Sequence, residues 1–155
     1  MRVKSLLVIA FAAATLLAQT PAANPWIATW KLDIVASHYH DDLPKQESLR
    51  VSDVNRETIA FHRSGTSAAG RNYDVSYRST GDGKESALMD GETKIGTASY
   101  EIFDDSTING KGEMLNGTIW TAKTTISDDK KTLTSTFHVK TAHGEEYDVT
   151  KVYKK

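Results

Sequence analysis

The chain has no cysteine, which excludes disulfides, zinc–thiolate and iron–sulfur centres and a cysteine nucleophile. It also excludes a lipid anchor on cysteine. Beyond the first residues no stretch keeps a helical period, and there is no internal repeat, linker or low-complexity segment. Basic charge is not in excess: the formal net charge is −1. The basic footprint of a nucleic-acid binder is therefore missing. Catalytic signatures are missing too. No Gly-x-Ser-x-Gly elbow occurs, and Gly81-Asp82-Gly83-Lys84 lacks the Walker spacing and a following helix. His62, His138 and His143 fall on outward faces or turns, with no nucleophile beside them.

What is present begins with an export signal. Met1-Arg2-Val3-Lys4-Ser5 is basic, Leu6 to Leu17 is apolar, and small residues follow, the order of a secretory signal peptide. The apolar run falls short of the roughly 20 residues a membrane span needs. Residues 1–23 are read as the signal, cut somewhere in 18–23, and residues 24–155 as one domain. Removing Arg2 and Lys4 leaves 17 basic against 20 acidic residues, a formal charge of −3. The expected location is periplasmic or secreted, with no membrane span once the signal is gone. About 130 residues suffice for one domain with a core of its own.

The mature part alternates. In PWIATWKLDI, residues 25–34, Trp26, Ala28, Trp30, Leu32 and Ile34 share one face, while Thr29, Lys31 and Asp33 share the other. Similar runs recur to the end, separated by Gly, Asp and Asn turns such as Asp90-Gly91, Asn116-Gly117 and Asp128 to Lys131. They give nine or ten strands with short links, so neighbours pair antiparallel as a meander. Closing the meander removes both exposed edges. The expected fold is all-β, an up-and-down barrel of about 8–10 strands. Gly110 and Gly112 are expected to mark a bend in one strand.

Two end motifs carry a resemblance. Ala28-Thr29-Trp30-Lys31-Leu32 resembles the Gly-Thr-Trp-Lys-Leu opening of fatty-acid-binding proteins and the Gly-x-Trp opening of lipocalins. Thr150 to Lys155 resembles the last strand of fatty-acid-binding proteins, Arg-x-Tyr followed by charged residues. The whole mature chain is similar to small secreted bacterial proteins described as lipocalin-like, within the calycin superfamily. Three features depart from the pattern: Ala28 stands for Gly, Lys151 stands for Arg, and the link after the first strand is too short for a helical lid. The resemblance thus implies a barrel, not a fatty acid.

Lys151 lies on the apolar face of the last strand with Tyr147, Val149 and Tyr153, where an unpaired charge is costly. Three readings stand. Lys151 and Tyr153 could grip the carboxylate of a bound acid, as the resemblance implies; Lys151 could lie over the Trp30 ring and close one end; or it could snorkel to solvent at the mouth. The inward rings Trp30, Tyr73, Tyr77, Tyr100, Trp120 and Phe137 are either core or the wall of a pocket. Small inward residues around Trp120 leave room for a ligand. His38 and His40 are candidate metal ligands in a loop otherwise read as solvated. The expected function is binding of a small apolar or amphipathic molecule, without cofactor or catalysis. The alternative is a filled barrel that meets protein partners through its loops.

Overall fold

The computed structural model describes residues 23–41, 43–79 and 83–155. The signal expected over residues 1–23 therefore lies almost wholly outside the described residues.

Ten strands follow one another: β1 (Ala28–Leu32), β2 (Gln46–Val54), β3 (Ile59–Thr66), β4 (Asn72–Arg78), β5 (Ser86–Asp90), β6 (Thr93–Asp104), β7 (Thr107–Met114), β8 (Ile119–Ile126), β9 (Thr132–Lys140) and β10 (Glu146–Lys154). Each pairs antiparallel with its neighbours in sequence, and β1 meets β10 to close the barrel. No helix is present among the described residues. β1 is shorter than its alternation suggests, because Trp26 and Ile34 lie in turns on either side of it.

Alternation selects the interior. Val51 on β2, Ile59 on β3, Val75 and Tyr77 on β4, Leu88 on β5, Ala98 on β6, Ile108 on β7, Ile126 on β8 and Leu133 on β9 are all buried. Register shifts at Val51/Asp53, Leu88/Met89 and Ile102/Asp104 add the local twist that helps a sheet curl.

The two ends differ. At one end the segment before β1 folds inward: Trp30 is 0% exposed and Trp26 4%. The Trp30 indole donates to the Trp26 carbonyl at 3.1 Å, and the Trp26 indole donates to the carbonyl of Asp105, in the β6–β7 turn, at 3.2 Å. Lys155 closes this plug, its ammonium 4.7 Å from the Trp30 ring centroid. The lysine over Trp30 is thus Lys155 and not Lys151. Register explains the difference: Leu32 pairs with Tyr153, so two residues further down Trp30 stands level with Lys155.

At the other end lies the β1–β2 connection. His38 bridges to Thr150 through two backbone hydrogen bonds of 2.8 Å, which carries Tyr39, His40 and Asp41 across the mouth. Asp42, part of the same polar stretch, lies outside the described residues.

Candidate ligand cavity

Between plug and mouth the barrel holds a cavity of about 510 Å³, within the usual range for a small-molecule site. Its walls are mostly apolar. Tyr100, Trp120 and Phe137 line it together with Phe61 and Leu49. The rings form a continuous chain: Phe61 to Tyr100 at 5.5 Å, Tyr100 to Trp120 at 5.9 Å, and Trp120 to Phe137 at 5.8 Å between centroids. Phe61 meets Tyr100 and Phe137 meets Trp120 edge-on, a favourable arrangement for aromatic pairs.

Gly110 and Gly112 let these rings lie flat against β7. A Cβ added at Gly110 would stand 2.5 Å from Tyr100 Cε1, and one at Gly112 would stand 2.5 Å from Trp120 Cζ2. The two glycines make room for the rings. Gly112→Ala is expected to destabilise the barrel by about 1–3 kcal/mol, the range for overpacking, and to push Trp120 into the cavity. Urea denaturation followed by tryptophan emission would measure both effects.

A charged cluster adjoins these rings, with Arg63 and Lys151 in the cavity lining. Glu47 on β2 is 6% exposed, and four groups meet its carboxylate. Lys151 Nζ donates to Oε1 and Oε2, both at 3.1 Å; Tyr73 donates to Oε2 at 2.6 Å; Tyr153 donates to Oε1 in a short hydrogen bond. Arg63 on β3 adds an ion pair, its Nε 3.9 Å from Oε2. Burial alone would raise the Glu47 carboxyl, but Lys151, Arg63 and the two phenols hold it down at about 2. Lys151 is lowered to about 8 by burial and by the charge of Arg63, against the pull of Glu47. Burial and the adjacent carboxylate push the Tyr153 phenol up, so it stays protonated and donates. A carboxylate with this many donors is well satisfied.

Sequence and structure can now be matched residue by residue. Tyr100, Trp120, Phe137, Lys151 and Tyr153 line the cavity. Trp30 is in the plug, Tyr77 is core with its hydroxyl donating to the Ala98 carbonyl at 3.2 Å, and Tyr73 stands behind Glu47. Lys151 neither covers Trp30 nor snorkels out: it is 8% exposed and bound to Glu47, with Tyr39 beside it at 5.4 Å. The protein's own carboxylate thus occupies the grip that the end motif implies for a bound acid. His40 stacks on Tyr147, centroids 4.2 Å apart, and meets Glu145 at 3.1 Å, while His38 is exposed. No group of three metal-ligating side chains forms among the described residues.

Glu47, Arg63 and Tyr39 are absent from the candidate residues read from the sequence, yet two of them extend apolar alternations in it. Glu47 is two residues before Leu49 and four before Val51; Arg63 is two after Phe61 and four after Ile59.

No protein-family model matches the chain, and no curated protein matches it significantly. Several solved structures are similar to it, among them two bound to DFHBI. One, EF1p2_mFAP2b bound to DFHBI, is 13% identical with a TM-score of 0.50; the match covers 86% of this chain and 96% of that one. The other, mFAP1, a redesigned β-barrel also bound to DFHBI, is 15% identical with a TM-score of 0.47 and is covered in full by 88% of this chain. At this identity the likeness concerns the fold alone, a closed antiparallel β-barrel.

Proposed function

We propose that the chain is an exported, lipocalin-like barrel that binds one small apolar or amphipathic molecule by burial, without chemistry on it. The observation that carries this reading is the cavity of about 510 Å³, whose lining combines the rings of Phe61, Tyr100, Trp120 and Phe137 with the charged Arg63 and Lys151. A wall of that kind buries an apolar body and orients a polar group. The export part rests on the basic-then-apolar opening of the sequence and points to the periplasm or the medium. Among the described residues no helix is long and apolar enough to cross a membrane.

The test is native mass spectrometry of protein purified from its own host, with solvent extraction of any adduct, followed by thermal denaturation with the extracted compound. Ligand at 100 times its dissociation constant should add about 2.7 kcal/mol of stability. Val149 lines the cavity and is only partly buried, so Val149→Trp should fill the space and remove that gain while the barrel still folds. Undiminished stabilisation of the variant would place the ligand outside the cavity and end this reading.

A further inference from the structure

The charge cluster is not balanced. Arg63 and Lys151 contribute two positive charges and Glu47 one negative. Glu47 divides its oxygens between Lys151, Tyr73 and Tyr153, all at hydrogen-bonding distance. Arg63 is left with the long contact of 3.9 Å and the face of the Tyr73 ring, 5.9 Å from its centroid. Its Nε is buried and has no hydrogen-bond partner. The Tyr39 hydroxyl, also on the cavity wall, is buried without a partner as well. Each such donor away from water costs of order 1–3 kcal/mol when left unpaired. A guanidinium presents its donors as a planar fork that matches a carboxylate.

The surroundings of Arg63 narrow the choice of ligand. Phe61 precedes it by two residues on the same inward face of β3, and the rings of Tyr100, Trp120 and Phe137 continue from Phe61 around the interior. A molecule that pairs with Arg63 therefore lays its body against aromatic faces and edges rather than along an aliphatic channel.

Resting on the binding reading above, we propose that the cavity takes an aromatic carboxylic acid, its carboxylate held by Arg63 with the Tyr39 hydroxyl as second donor, and its ring system packed against Phe61, Tyr100 and Trp120. The anion neutralises the surplus positive charge. Lys151 and Tyr153 stay with Glu47 and act as the support that keeps Arg63 in place.

Isothermal titration at neutral pH with 2-naphthoate and 2-naphthalenemethanol isolates the carboxylate, because the ring system is the same. Naphthoate is expected to bind about 10- to 100-fold more tightly than the alcohol, the range for hydrogen bonds to a charged group. Arg63→Met should remove that advantage, so that acid and alcohol bind the variant with similar affinity. Arg63→Lys keeps the charge and so protects the fold, but it loses the fork; it should weaken naphthoate about tenfold. On the unmutated protein, the Arg63 Nε–H resonance should move downfield with naphthoate and stay in place with the alcohol. Equal binding of acid and alcohol, or an unmoved Nε–H resonance, would overturn the anion site and leave the cavity reading standing. Tighter binding of octanoate than of naphthoate would overturn the aromatic part. If none of the three compounds bound, the proposal would fall together with the cavity reading.

Discussion

Replacing Glu47 by glutamine is expected to destabilise the barrel by about 3–5 kcal/mol, the usual result of stripping one partner from a buried ion pair. Glutamine keeps the shape, so the loss is one of charge: Lys151 and Arg63 would share the interior with no anion between them. The melting temperature should fall by roughly 10–20 °C for a domain of this size. Replacing both Glu47→Leu and Lys151→Met should cost less than Glu47→Gln alone, because one buried cation, Arg63, is then left without an anion instead of two. An equal or greater loss in the double variant would mean that the pair is held by packing and not by charge.

The same carboxylate sets an acid limit. It is held at about 2 in the folded barrel, against 4.5 in an ordinary setting. Between those values the unfolded chain binds a proton that the folded one refuses, so stability must fall as pH drops from about 4.5 towards 2. Above that window Glu47 is ionised in both states and its contribution is constant. Glu47→Gln removes this share of the acid sensitivity, so urea midpoints taken at pH 7 and pH 3.5 should differ less in the variant than in the parent.

Trp30→Ala is the second large effect, with an expected loss of about 3–5 kcal/mol. Trp30 is 0% exposed and its indole holds the Trp26 carbonyl. Removing it leaves a hole at the closed end and frees the segment that plugs it. Trp30→Phe keeps most of the volume and loses one hydrogen bond, so about 1 kcal/mol is expected from that bond. Lys155→Met should hardly move the midpoint, since its ammonium lies at the surface. Chemical denaturation of the three variants ranks them; a Lys155 variant as damaged as Trp30→Ala would show that the cation, rather than the ring, holds the plug.

Strand order and closure were legible in the sequence for a physical reason. Alternation survives along strands such as β2, β4 and β10, which have one wetter face, and short polar turns favour the meander. The polar wall was harder to see. Glu47 and Arg63 occupy inward slots in their strands, but a charged residue beside an apolar run reads as the strand's exposed end, since burying it alone is costly. What makes Glu47 tolerable is Lys151, 104 residues away, and such a partner becomes visible only when the barrel closes. Lys155 was hidden in the same way. Alternation puts both Lys151 and Lys155 on the inner face, and only the β1–β10 register decides which one reaches Trp30.

That register is brief: β1 and β10 share two paired positions, with one more bridge at His38, whereas β9 and β10 pair along their whole length. The two sides of this closure reach the plugged end together, where the Lys155 ammonium donates to the Pro25 carbonyl at 2.9 Å. Tension applied to residues 23 and 155 would therefore peel β1 from β10 one hydrogen bond after another, instead of loading all of them at once. Under force the barrel has a grain, and it splits along that line with its other nine strand pairs still zipped.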